Sequence, residues 1–342
     1  MESFVIGNKK RKKLNSSSLN YFHRVGVKIK KYASIFWFIL PAMILAFLFG
    51  YVPLIFILAA FKSDFILAIN SPLVELFRNN WSFVQFTKLF GDNSDQFLLA
   101  LSNTLIINVI KICLVFPFSI LLAIMLSEVK STFASKLILI ILCLPNFLSW
   151  PTVIGIWNNL FRDQNGVINN LLMSMGLIKE PIFWFGDNIG GIAGFNLFKF
   201  FAILMDAWKG SGWNSIMIYT AIMSIDKSYY EASEIDGCNK VKQVWYLTLP
   251  SIFPIIALMF IMNITYILSS GFEQINLLAQ ISDPSLKERM KTLDVYLYEV
   301  ALGAGADMSF ATALGIFNSS ISLILMLAGN QIAKKFLHRG LW

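Results

Sequence analysis

Few charged side chains stand inside the apolar stretches of this chain, and those few are the first candidates for chemistry. Asp206 and Lys209 lie one helical turn apart in FFAILMDAWKGSGW. Residues three apart share a helix face. The pair can neutralise itself as a structural salt bridge. It can also mark, beside Gly210 and Gly212, an interrupted helix of the kind that lines transport sites. Lys111 stands alone in another apolar run and can pair with an acid or snorkel. Further on, Asn263, Tyr266, Ser269, Ser270 and Glu273 recur at steps of three and four residues. That spacing draws a polar stripe along one helix face. Such a stripe either bonds to neighbouring helices or lines a wet path, where Tyr266 offers a flat face and a hydroxyl.

Other chemistries lack their residues. His23 and His338, the only histidines, lie near the two ends, so histidine builds no metal or acid–base cluster. Cys113, Cys143 and Cys238 have no metal or disulfide spacing and read as small core hydrophobes. No Walker A pattern occurs, and no Gly-Lys pair at all. G-x-S-x-G, H-E-x-x-H and C-x-x-C are missing too. These readings expect no catalytic residue, no metal and no cofactor held by this chain. A membrane passage or a scaffold is the simplest remaining class.

The elements that must position these residues are membrane helices. Hydrophobic residues make up 56%, charged residues 14%, and mean hydropathy is +0.65; soluble domains carry roughly 25% charged residues. Crossing the hydrocarbon takes about 20 apolar residues. Six segments qualify, approximately 34–61, 97–127, 135–161, 195–225, 252–270 and 310–334. Pro145 and Pro151 interrupt the third; Asp206, Lys209, Gly210 and Gly212 interrupt the fourth. The first apolar run is too long for the core of a cleaved signal peptide. With the N-terminus inside, 17 of the 28 Lys and Arg fall on the cytoplasmic side and 13 of the 20 Asp and Glu on the other. Lys and Arg favour the cytoplasmic side, so both termini are expected there. Residues 1–31, with KKRKK at 9–13, read as a basic cytoplasmic tail beside anionic headgroups rather than a nucleic-acid binder. Residues 32–342 form the transmembrane domain. In the outer loop 162–194, WFGDNIGG and the aromatics Phe183–Phe185 suit either a docking surface or the membrane interface.

One hydrophilic stretch is fenced by apolar ones: YYEASEIDGCNKVKQVWYLTLP, 229–250, within the cytoplasmic loop 226–250. Asp226 can cap a helix starting near Ser228. Gly237 suits the left-handed position that ends it. Asn239 can cap a second helix to about Leu247, and Pro250 is expected to stop it. Glu231 and Glu234 share a face of the first helix. Val241, Val244, Trp245 and Leu247 are expected to pack on the span ends.

The spacing of this loop resembles the EAA loop of membrane subunits of ATP-binding-cassette importers: E-A-A, three residues, G, nine residues, I-x-L-P. The chain has Glu231-Ala232-Ser233, then Asp236-Gly237, and Leu247-Thr248-Leu249-Pro250, with Ser233 for the third Ala and Leu247 for Ile. Asp206-Ala-Trp208-Lys209, Gly271-Phe-Glu273-Gln274 and the C-terminal SFATALGIFNSSISLILMLAGNQIAKKF are similar to the carbohydrate branch, and within it to permeases for complex oligosaccharides. The resemblance covers about residues 32–342. It implies an all-α type I importer transmembrane domain, MetI-like, in a bacterial cell membrane. It implies two cytoplasmic ATPase subunits using ATP and Mg, a second related permease, and an external or lipoprotein binding protein delivering carbohydrate. Glu231, Ala232, Ser233, Asp236, Gly237, Leu249 and Pro250 then couple to the ATPase. In maltose-type relatives the fifth span contributes to the sugar site, and Tyr266 and Ser270 are the best matches to contacts there. A secondary transporter driven by an ion gradient, with Asp206 as the one candidate ion ligand, and an importer of another substrate are the competing readings.

Overall fold

A computed structural model describes residues 33–63, 65, 72–91, 93–163, 165–185, 196–282, 284–303 and 305–337. The basic tail 1–31 lies outside them. The chain divides into two compact units, Met1–Leu58 and Ala59–Trp342. The described residues are helical apart from turns and a single isolated β-bridge, Lys62 with Trp81. In the first unit α1 spans Ala33–Gly50, apolar but for Ser34 and exposed at Ile35 and from Trp37 to Gly50. In the second, the helices used below are α2 (Ser94–Ile110), α3 (Phe116–Ser127), α4 (Thr132–Cys143), α5 (Trp150–Phe161) and α6 (Leu197–Met223). They continue with α7 (Lys227–Ile235), α8 (Lys240–Gln243), α9 (Leu249–Thr265), α10 (Phe272–Ile281), α11 (Leu293–Leu302) and α12 (Met308–Leu337).

Four helical runs are long and apolar enough to cross a membrane: Trp37–Phe61, Ser94–Ser127, Lys240–Thr265 and Met308–Lys335. A fifth is possible if Phe133–Phe147 and Trp150–Phe161, bent by 98°, form one broken span. The break falls where Pro145 and Pro151 stand, each at the start of a new helical segment, the position where a missing N–H costs least. The expected fourth span is α6. It is 27 residues long, but Lys199, Asp206 and Lys209 set it apart from the apolar runs. It is the central strut, packing against α3, α4, α9 and α10, with buried residues from Phe198 to Ile222.

Gly210 and Gly212 do not interrupt α6, which runs unbroken through both. Gly212 instead lets α4 come close: a Cβ there would lie 2.0 Å from the Leu142 carbonyl oxygen. Nor does Pro250 end a helix. Lys240–Thr265 is one continuous run because Val244–Thr248 widens into a π turn just before the proline. The Leu249 N–H bonds back to the Val244 carbonyl, five residues away. The wider turn moves the preceding carbonyls from where a proline ring would collide with them. The same device, Lys111–Val115 followed by Phe116-Pro117, joins α2 to α3.

Within the segment 162–194, Trp184 and Phe185 join an aromatic cluster. Phe185 is buried, and Trp184, Phe161, Trp157 and Phe201 meet edge to face or stacked around it. Buried Asn169 folds this segment. Its amide donates to the carbonyls of Arg162, Asp163 and Ile182, and its oxygen accepts from Ile182 N–H and Trp184 Nε1. Phe185 belongs to the core, while Phe183 and Trp184 are half-buried; Gly186–Gly191 of WFGDNIGG lie outside the described residues.

Gly212→Ala should lower the thermal midpoint of the detergent-purified protein, at a cost of about 1–3 kcal/mol from overpacking. Gly210→Ala, where a Cβ meets only Asn214 Nδ2 at 4.0 Å, should not. Equal effects would refute the close approach of α4.

Candidate functional site

Two regions hold the residues singled out in the sequence. The first is the loop 226–250. The Asp226 carboxylate caps α7, accepting from the Ser228 N–H at 3.0 Å. That bond holds its pKa below the usual carboxylate range. Gly237 ends the helix at φ +77°. Its N–H bonds to the Glu234 carbonyl and the Cys238 N–H to the Ser233 carbonyl, at 3.1 and 2.9 Å, the paired pattern of a Schellman motif. Asn239 caps α8 through the Lys242 N–H at 2.9 Å.

Side chains lock the two helices. Gln243 Nε2 donates to Ser233 Oγ at 2.9 Å, and Tyr230 OH and Thr248 Oγ1 are 3.0 Å apart. Lys240 Nζ meets Glu234 Oε1 at 2.9 Å and lowers the pKa of that carboxyl. A carboxyl with a depressed folded pKa stabilises at neutral pH and loses its tie as pH falls through that value. The inner face of the second helix carries polar groups: Gln243 and Thr248 are buried, Val244 and Leu247 are half-buried as expected of them, and Val241 and Trp245 are exposed, against the expectation. The partners that draw Gln243 and Thr248 inward, Ser233 and Tyr230, sit on α7, which periodicity does not register. Glu231, Ala232 and Asp236 are exposed, as is Ile235 at 88%. Leu249 and Pro250 open α9.

The second region is a cavity of about 300 Å³ among α2, α6 and the end of α9. It gathers Lys111, Asp206, Asn263, Tyr266, Ser269 and Ser270, together with Asn108 and Gln274. The sequence stripe is not one helix face. Helix α9 ends at Thr265, and the chain turns before Gly271, at φ +85°, opens α10. Glu273 lies beyond that turn, exposed and away from the cavity lining.

Asp206 and Lys209 do not pair. Asp206 faces Lys111 on the π turn, 3.5 Å away. Lys209 reaches the bend between α4 and α5, donating to the carbonyls of Asn146 at 2.7 Å and Leu148 at 2.6 Å, with its ammonium 5.4 Å from the Trp150 ring centre. The bend at 98° frees these carbonyls, and one ammonium answers both. Sequence distance hides such partners. It also hid Asn108, whose amide donates to the Ile267 and Ser269 carbonyls at 2.8 and 3.2 Å. Asp294 was missed as well: its carboxylate accepts from the Ser270 and Gly271 N–H groups and Ser269 Oγ, at 2.8, 3.2 and 3.2 Å. A polar residue opposite a helix break was the only available signal.

Residues 115–337 match the family described as the inner membrane component of binding-protein-dependent transport systems. The chain belongs to this family. It is a permease component of ABC importers, with ATP hydrolysis assigned to a separate chain. The permease is 31% identical to the polygalacturonan/rhamnogalacturonan transport system permease protein YteP of Bacillus subtilis (strain 168), over 93% of each chain. It is 31% identical to Protein LplB of the same strain, over 92% of each chain. Among solved structures it resembles a chain of a bacterial ABC transporter involved in the import of the acidic polysaccharide alginate, at 31% identity and a TM-score of 0.76, covering 92% of the permease and 99% of that chain. A second structure of a bacterial alginate ABC transporter, in complex with a periplasmic protein carrying an alginate pentasaccharide, matches with the same TM-score and identity, covering 92% and 98% of the two chains.

A double-mutant cycle tests the pairing. Asp206→Asn should couple to Lys111→Met and add to Lys209→Met within about 0.5 kcal/mol, read as unfolding midpoints. Stronger coupling to Lys209 than to Lys111 would contradict the observed partners.

Proposed function

We propose that this permease is one of two related membrane subunits of an ATP-driven importer of oligosaccharide, with six spans and both termini on the cytoplasmic side of a bacterial cell membrane. α6 supplies the span that its charges conceal, and the bent pair α4–α5 counts as one. Two cytoplasmic ATPase subunits use ATP and Mg. An external binding protein delivers the sugar. The names of YteP and of the alginate transporters, all concerned with polysaccharide, support the carbohydrate class.

The observation that carries the mechanism is continuity. The loop 226–250 is tied to the start of Lys240–Thr265, and the far end of that run lies at the cavity. Helix α7 would dock in the ATPase with Glu231 toward a basic group, beside exposed Ala232, Ile235 and Asp236. Ser233 faces inward and holds Gln243 instead. Gly237 sets the angle between the loop helices, and Leu249 and Pro250 carry movement into the span. Closure of the ATPases on ATP biases this two-state element, and the cavity opens to one side or the other. Tyr266, Ser270, Asn263 and Ser269 belong to the sugar path, with Asp206 at its edge. Lys209 braces the broken span and Glu273 stands outside the path. An ion-gradient mechanism would need Asp206 as an ion ligand, and Lys111 already engages it.

Glu231→Ala and Gly237→Pro should each leave the chain in the membrane and assembled, yet abolish uptake and the stimulation of ATPase activity by loaded binding protein. Normal uptake and normal stimulation in both variants would sink the coupling assignment.

A further inference from the structure

One peptide group in the wall of the cavity is gripped at both edges. It joins Ser269 to Ser270 in the turn after α9. Its carbonyl accepts from Asn108 Nδ2 at 3.2 Å, and its N–H donates to Asp294 Oδ2 at 2.8 Å. The same carboxylate oxygen accepts from the Gly271 N–H and from Ser269 Oγ, each at 3.2 Å. A peptide plane bonded on opposite edges cannot turn without breaking one of those bonds, and bonds to a carboxylate are the stronger kind. The side chain held in place by this grip is Ser270. It lines the cavity, is almost fully buried, and its hydroxyl has no partner among the described residues.

Asp294 is itself held. It stands in the first turn of α11 and is not among the residues that line the cavity. Helix α2 fixes that end of α11. Thr104 Oγ1 accepts from the Leu293 N–H at 2.9 Å, and Asn103 donates to the Arg289 and Lys291 carbonyls at 2.7 and 2.9 Å. Asn103, Thr104 and Asn108 are all buried residues of α2. A closed frame therefore runs from α2 to the start of α11, through Asp294 to the turn, and through Asn108 back to α2. We propose that Asp294 is a positioning residue of the sugar path, an inference that rests on the reading of the cavity as that path. It does not touch the sugar. It fixes the Ser269–Ser270 peptide so that the free Ser270 hydroxyl, with Ser269 and Tyr266 beside it, meets the passing glycan. Without the carboxylate the Ser270 N–H is left unpaired in a buried place, which is unfavourable, and the turn keeps only its fastening through the carbonyls.

The test uses the assembled transporter in proteoliposomes with its binding protein. The protein is loaded from a mixed digest of polygalacturonan and alginate, the polymers named for similar transporters. Import is read by mass spectrometry of the vesicle contents and hydrolysis by phosphate release. Loss of folded protein lowers both together and leaves their ratio alone; a misplaced path wastes ATP. Asp294→Leu removes the acceptor and should lower sugar imported per ATP at least fivefold, with stimulated hydrolysis within twofold of the parent. In hydrogen–deuterium exchange its Ser270 and Gly271 amides should exchange at least tenfold faster. Asp294→Asn keeps an acceptor oxygen and should restore both readouts. Gly212→Ala, a packing change elsewhere, should leave the ratio unchanged. Import and hydrolysis falling in proportion, or Asp294→Asn no better than Asp294→Leu, would make Asp294 merely structural and overturn the inference. Tyr266→Ala keeps the two readings apart. A lower ratio with Tyr266→Ala but not with Asp294→Leu would overturn the inference alone. An unchanged ratio in both variants would overturn the sugar-path reading of the cavity and the inference with it.

Discussion

Lipid cannot hydrogen-bond to a peptide group, so every backbone group freed inside a membrane must find a partner in the protein. This permease breaks its helices several times, and the rest of its architecture follows from how each break is answered. Lys209 answers the bend between α4 and α5. Asn108 and Asp294 answer opposite sides of the turn after α9, one giving protons to carbonyls and the other taking them from N–H groups. Asn103 does the same for the Arg289 and Lys291 carbonyls ahead of α11. The two π turns are milder answers, placed where a proline follows.

Breaks of this kind also make room. Where α9 stops at Thr265 its line is not continued, and the space becomes the cavity. Asn108, which satisfies the turn after α9 through its NH2, lines that cavity as well. The other end of the same helical run is braced by Ser233, Gln243, Tyr230 and Thr248. A force applied to α7 would meet hydrogen bonds and a Schellman turn before anything loose, as the proposed coupling lever requires.

Much of the loop was legible in the sequence because its signals are local. Asp226, Gly237 and Asn239 act on neighbours within five residues, and each stands where the cap or turn requires it. The apolar runs were legible for the same reason. Other features failed through distance. Asp206 and Lys209 look like a pair on a helix face, yet their partners lie 95 and more than 60 residues away along the chain. The polar stripe of α9 assumed a helix running past Thr265, and the left-handed Gly271 was the sign against it. Pro250 misled because a π turn is not encoded by any residue type. The inward polar face of α8 was hidden because its partners sit on another helix.

Hydrogen–deuterium exchange of the assembled transporter, nucleotide-free and nucleotide-trapped, tests most directly whether movement of the loop reaches the cavity. Transmission through one continuous helix predicts that trapping alters protection in Lys227–Asp236 and, together with it, in the Tyr266–Gly271 turn. Protection that changes at Lys227–Asp236 alone, with the Tyr266–Gly271 amides unmoved, would mean that the loop docks without driving the path and would contradict the coupling mechanism.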